Sequence, residues 1–371
     1  MTTEASPAWD RFAHWGSLPA RLLLLALAAI LTASALVPIN AGPSTVQTRN
    51  FVEVLVKPDG PERKRDDDLA LYDTVVKRIR AGEHYYDFIV SEHRKAHYPV
   101  RPGLAVRLPT LAYIDAAIGT PGQIGAAILL LAGVMLAWWR RLSEEPCRRR
   151  NRLMAIALLA VGASLGLNRD FFVLHELWAG MLLALAFGLH RPGKWGWSLA
   201  VTALALAIRE HSLPFVLLMA AMAFWRGDRR EGAAWTALAA VFLAALAVHL
   251  RIIAAQVLPS DPLSPSWLEM RGLSGWLSNV VLSSNIRLLP HWLTGPIVML
   301  AIFGWAGWRT PAGAFATLLY LGYGLAFMIA GRGDNYYWGF MVAPAMFIGL
   351  AFAPGWLISL WRAAQSRQLH R

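Results

Sequence analysis

The sequence predicts an all-α polytopic membrane protein of about ten transmembrane helices, with amphipathic helices lying along the membrane in the first outer loop. Three observations predict it. The 371 residues are 56% hydrophobic and only 16% charged, with a mean hydropathy of +0.43, outside the range of ordinary soluble domains. Apolar runs long enough to cross or nearly cross a bilayer recur along the chain. Arginine and lysine gather in alternate loops.

The first apolar run covers residues 18–39, after a short N-terminal segment, 1–17. Small residues follow it at Ala41 and Gly42, as they would at a signal-peptide cleavage site, but the run exceeds the roughly 7–15 apolar residues of a signal and can span. Either way, residues 40–121 emerge on the far side. Nine further spans are predicted within the bundle at 122–360: 122–142, 153–167, 171–189, 195–208, 211–225, 233–257, 288–308, 312–330 and 337–360, followed by a tail at 361–371. Tryptophans stand at many span ends, including Trp138, Trp195, Trp225 and Trp308, as interfacial belts require.

Orientation follows from the cations in short loops. With the N-terminus in the cytoplasm, that side receives Arg11, Arg21, the arginines between Arg140 and Arg152, Arg191, Lys194, Arg226 to Arg230, Arg309 and the tail. The opposite short loops hold one arginine each: Arg169, Arg209 and Arg332. The net charge of +12 is therefore mostly a matter of membrane orientation, not a nucleic-acid surface. Cys147 is the only cysteine, which excludes an intramolecular disulfide and a cysteine-based metal cluster.

The long outer loop carries the strongest local pattern. Leu69, Tyr72, Val75, Val76 and Ile79 recur at helical spacing, with Asp73, Lys77, Arg78 and Arg80 on the other side, and Gly82 ends the helix. A second helix is predicted from 84 to about 95; Pro99 and Pro102 then force an extended path. The acidic run Asp66, Asp67, Asp68 falls at the start of the first helix, where capping and the helix dipole alone could account for it.

Ionisable residues near span ends are costly and often functional. Arg169, Asp170, His175, Glu176, Arg209, Glu210, His211, His249, Arg251, Arg332 and Asp334 all map to the outer half, implying a polar cavity that opens outward. Arg169-Asp170 and Arg209-Glu210 would equally serve as anchors for span ends, and Tyr336 and Tyr337 as belt residues. An ion or solute pathway would need polar groups at the midplane, often on broken helices in two matching halves, and the sequence offers neither. His84, His93 and His97 lack a metal-ligand pattern; Asp67 and Asp68 leave a divalent cation open.

One span, then an outer loop with Asp68 at the start of an amphipathic helix, Tyr72 four residues on, Gly82 and Tyr85-Tyr86 as a stop, Tyr98-Pro99 and Arg107-Leu108-Pro109-Thr110: this order resembles the GT-C glycosyltransferases. The nearest likeness is to the branches that use polyprenyl-phosphate sugars, namely the lipid A aminoarabinose, protein O-mannosyl and mycobacterial mannosyl transferases. Tyr336, after Arg332, resembles the polar-aromatic sequence those enzymes place before a late span. The chain departs from the protein mannosyl branch, where an Asp-Glu pair is typical, because Leu69 follows Asp68.

The resemblance implies a GT-C-like fold and an inverting transfer of a sugar from a polyprenyl phosphate to a lipid, glycan or protein acceptor. A soluble nucleotide-sugar donor is not expected on the outer side, and no phosphate-cradling GxxxxGK[ST] loop is present. Asp68 is the expected general base, with Asp67 and Glu83 next in line. Arg209 and Arg332, with His211, are expected to hold the lipid phosphate, since the planar arginine fork binds phosphate in a bidentate way. Tyr72, Tyr86, Arg107, Arg169, Asn335 and Tyr336 complete the expected substrate-binding set. The expected setting is a bacterial inner membrane with the site on its periplasmic side. A multi-span transporter or lipid flippase is the alternative.

Overall fold

The computed structural model describes residues 9–40, 67–145 and 147–366. The side chains of Asp67 and Asp68 lie outside the described set, as does Asp66. Among the described residues the regular elements are helical, joined by isolated bridges but no ladder.

The first outer loop forms the two expected amphipathic helices, α2 (Asp67–Arg80) and α3 (Tyr85–Lys95), after α1 (Ser17–Leu36). Gly82 separates α2 from α3 at φ 93°, a left-handed conformation that a side chain would strain. The apolar faces of the two helices do not simply rest on a membrane. Val75, Val76, Tyr85, Phe88, Ile89 and Val90 share a small core with Val100, Val106, Ala112 and Ile253, so the loop is a lobe packed onto the bundle.

The bundle begins with α4 (Thr110–Glu144), which starts twelve residues before the predicted span at 122. Pro109 stands at its N-cap, and the chain breaks at Gly119, φ 64°, just before Pro121. Arg80 of α2 donates to the carbonyls of Asp115 (2.9 Å) and Ala116 (3.3 Å) beside this break. The lobe thus supplies donors where the proline-containing segment interrupts the helical ladder.

Then follow α5 (Arg149–Ala163), α6 (His175–Leu189), α7 (Gly196–Ile208), α8 (Leu213–Trp225), α9 (Arg229–Ala254), α10 (Gly272–Leu282), α11 (His291–Ala306), α12 (Pro311–Ile329) and α13 (Ala353–Gln365). Among the described residues five helices are long and apolar enough to cross a membrane: Ser17–Leu36, Gly103–Glu144, Arg149–Leu167, Arg229–Ala254 and Pro311–Ile329. A sixth crossing would be the pair Ala343–Ala351 and Ala353–Gln365, bent by 48°. The predicted spans near 171–189, 195–208, 211–225 and 288–308 are shorter apolar helices of 10–17 residues.

Helix α6 explains why a short helix is stable here. It is apolar nearly all round and buried almost throughout, so it packs against protein and not lipid. A Cβ on its Gly180 would sit 1.9 Å from the Phe340 carbonyl oxygen; the two backbones touch through the missing side chain. Gly304 meets the Gly349 carbonyl at the same 1.9 Å.

Two stretches differ from the sequence reading. The tract 259–287, expected as an outer loop, contains the buried helix α10, whose Asn279 carbonyl approaches Gly339. The last predicted span, 337–360, is broken into the 3-10 helix Gly333–Met341, the turn Ala343–Met346, the 3-10 helix Phe347–Ala351 and α13. Pro344 and Pro354 lack backbone donors, and the close backbone contacts at Gly339 and Gly349 hold the segment in its interrupted path.

Candidate functional site

Helix ends at one end of the bundle surround a cavity of about 260 Å³. Its walls come from five segments distant in sequence: Leu71 and Tyr72 of α2, the stretch from His93 of α3 to Arg107, the α7–α8 turn at 209–211, Ser264 and Trp267, and 332–338 after α12. Three arginines stand in it: Arg107, Arg209 and Arg332.

Local structure places each group. Ile208 ends α7, and the 3-10 turn Glu210–Ser212 leads into α8 with Pro214 in its first turn, so Arg209, Glu210 and His211 occupy a tight corner between two apolar helices. The Tyr323 hydroxyl donates to the carbonyl of His211, and the His211 ring lies 4.6 Å from the Trp338 ring. Segment 263–271 is tied at both ends. Ser264 N donates to Arg101 O (2.6 Å), Gly331 N to Trp267 O (2.7 Å) and Arg271 N to Met328 O (2.9 Å), so this strap joins the first loop to the end of α12. Arg94 grips the Asp261 carboxylate through two bonds of 2.7 and 2.8 Å, which hold that acid down at about 2.

Charge is arranged in linked pairs. Glu176, in the first turn of α6, lies 2.8 Å from Arg209 and 3.5 Å from Arg107, and Arg209 also pairs with Glu210. Arg209 and Glu176 are both about 1% exposed. Although Nη2 of Arg209 is close to Glu176 Oε1, the pair is misaligned for a hydrogen bond, and Nε and Nη2 keep donors unused. Arg107 Nε donates to the Tyr72 hydroxyl at 3.1 Å. Arg332 makes only long contacts with side chains or carbonyls, 3.3 Å to Asp334 and 3.4 Å to Pro265 O, and is the most open of the three arginines.

The structure brings Tyr72, Arg107, Arg209, His211, Arg332 and Asn335 to one cavity. It puts the other expected residues elsewhere. The Tyr86 hydroxyl donates to His249 Nδ1 (3.0 Å) while His249 Nε2 donates to Val106 O (3.1 Å), a bridge between lobe and α9. Arg169 is exposed and does not line the cavity. Tyr336 is buried, its carbonyl accepting from Ser283, while its neighbour Tyr337 faces the cavity. Glu83 is paired with Arg78 on the surface of the lobe, which holds its carboxyl below the ordinary range; it does not stand in the cavity wall. Asp68 and Asp67 begin α2, and position 68 shares a helix face with Leu71 and Tyr72, both of which line the cavity.

The sequence named Glu176, Glu210 and Asp334 only as ionisable residues of the outer half, Tyr98 only within the family-like motif and His93 only as a rejected metal ligand, and it gave Trp267 and Trp338 no role. A usable signal existed for Glu176, an acid one turn inside an apolar run. Among the described residues no cluster of histidine, cysteine and acid side chains is suited to a metal ion. With Arg107, Arg209 and Arg332 in its lining, the cavity can present arginine donors to an anion, beside aromatic faces and carboxylates. No family model matches the chain, and no match to it was found among curated proteins or solved structures.

Proposed function

We propose that the chain is an integral-membrane glycosyltransferase of GT-C type that moves a sugar from a polyprenyl phosphate to a lipid, glycan or protein acceptor on the outer face of the membrane. The observation that carries this reading is the convergence of Arg107, Arg209 and Arg332, from three loops, on one cavity walled by Tyr72, one turn after Asp68. The six long or bent apolar helices and the four shorter ones among the described residues match ten crossings in number, and the arginine-rich loops favour cytoplasmic termini. In that orientation the cavity faces outward.

In the proposed reaction the acceptor hydroxyl loses its proton to Asp68 as its oxygen attacks the anomeric carbon. The bond from that carbon to the phosphate oxygen breaks on the opposite face, so configuration inverts. Charge grows on the departing lipid phosphate, and the arginine donors offset it in a site with little water. Glu176 and Glu210 hold Arg209 in place before the substrate arrives. The prenyl chain stays in the bilayer beside the apolar helices.

The test compares extracted glycolipids and surface glycans from cells with and without the protein. Loss of one sugar from a glycan or lipid, with its unmodified acceptor accumulating, is expected. Identical profiles, under conditions where the protein is made, would contradict the proposal.

A further inference from the structure

The histidines around the cavity differ in how their ring nitrogens are engaged. His249 is bonded on both ring nitrogens, to Tyr86 and to Val106. His211 Nδ1 sits 3.5 Å from Glu210 without a hydrogen bond, and neither ring nitrogen of His175, whose ring centre lies 5.5 Å from that of Tyr72, has a partner among the described residues. His97 is the left-handed residue, φ 58°, of the turn that ends α3. His93 remains.

His93 stands in the last turn of α3 and is 3% exposed, yet it lines the cavity. Its position is set by the turn that follows: Tyr98 N donates to His93 O at 2.8 Å, bringing the Pro99 carbonyl to the ring. His93 Nδ1 lies 3.3 Å from the carbonyl oxygen of Pro99. A carbonyl only accepts, so Nδ1 carries the proton and Nε2 holds a bare lone pair. Nε2 has no protein partner among the described residues, and burial pushes the ring down to about 4, so it stays neutral near pH 7.

Most of the charged lining is unsuited to the same role. Arginine side chains donate and never accept. Glu210 is engaged by Arg209, Asp334 by Arg332, and the Asn335 side-chain oxygen by the Arg332 backbone N–H. An uncharged, unengaged acceptor suits a neutral donor, and an alcohol hydroxyl is the donor that a sugar ring offers in quantity. The Tyr98 ring, 6.3 Å from that of His93, and Trp267 on the strap supply apolar faces of the kind that cover sugar carbons.

We infer that His93 Nε2 accepts a hydrogen bond from a hydroxyl of the transferred sugar, making the wall of His93, Tyr98 and Trp267 the sugar-recognition side of the cavity. This rests on the glycosyltransferase reading and extends it to a residue that selects the donor's sugar. His93 is a specificity residue, distinct from the groups that bind phosphate.

The experiment measures binding to purified full-length protein in detergent of a short-chain polyprenyl monophosphate and of its mannosyl, glucosyl and arabinosyl esters. Wild type is expected to bind at least one ester roughly tenfold or more tightly than the bare phosphate, the scale of one well-placed hydrogen bond. His93→Leu should lose that gain while binding bare phosphate as wild type does, and His93→Gln, which keeps an acceptor, should recover part of it. Thermal unfolding of both variants, unchanged from wild type, separates lost recognition from lost folding; a variant that unfolds early is replaced by His93→Asn in the same comparison. Should His93→Leu keep the whole gain, or should no ester bind better than bare phosphate to wild type, the inference is overturned while phosphate recognition stands. Absence of any phosphate binding overturns the glycosyltransferase reading itself.

Discussion

Asp68→Asn is expected to abolish sugar transfer while leaving membrane insertion and thermal unfolding nearly unchanged. Asparagine has the shape of aspartate and still caps a helix, so the start of α2 at Asp67–Arg80 loses little. What it cannot do is accept a proton. A positioned general base contributes roughly 10²- to 10⁴-fold, and with no second base at that position the loss should lie toward the upper end. Activity is followed by transfer of radiolabelled sugar from polyprenyl phosphate into the acceptor fraction of membranes. Retained transfer would return Asp68 to a capping role. Glu210, which lines the cavity beside His211, would then be the acid to vary next, ahead of Glu83, whose partner is Arg78 on the lobe surface.

The second large effect concerns stability. Glu176→Leu removes the carboxylate shared by Arg209 and Arg107 and leaves the Arg209 guanidinium, 1% exposed, with Glu210 alone. Breaking a buried pair from one side costs about 3–5 kcal/mol, because the remaining charge is stranded away from water. The protein should unfold at clearly lower temperature in detergent. Replacing both partners, Glu176→Leu with Arg209→Met, should recover much of that loss, since apolar residues of similar volume tolerate the same surroundings. A double variant as unstable as the sum of the two single ones would show that the pair does not act as a unit.

Legibility in the sequence followed the strength of local rules. Apolar spacing and Gly82 were enough to place α2 and α3, because an amphipathic helix and its stop are written in neighbouring residues. The position of Arg209 and Arg332 in cation-poor loops was visible, and it pointed to their common cavity. The pairing of Arg209 with Glu176 was not visible, since it depends on α6 lying against the α7–α8 corner, a contact across 33 positions. Helix α10 was missed for a related reason: its apolar residues are buried by α12 and by Gly333–Met341, not by lipid, so eleven residues suffice where a span needs about 20. The broken path after Gly333 rests on backbone contacts at Gly339 and Gly349, which hydropathy does not register. Arg169 and Tyr86 read as site residues because polar and aromatic residues near span ends look alike, whether they face a cavity or bridge a lobe to a helix.

The central claim is that the arginine-lined cavity receives a lipid phosphate, and binding of a short-chain polyprenyl phosphate against the corresponding alcohol tests it most directly. Arg332 is the residue to vary, because it is the most open of the three and its contacts are long, so its loss should leave the fold intact. Wild type should prefer the phosphate. Arg332→Ala should bind it at least tenfold more weakly, the scale of a hydrogen bond to a charged group at ~1.5 to 3 kcal/mol, and Arg332→Lys should restore only part, lacking the planar fork. A wild-type protein that binds alcohol and phosphate equally would contradict the account.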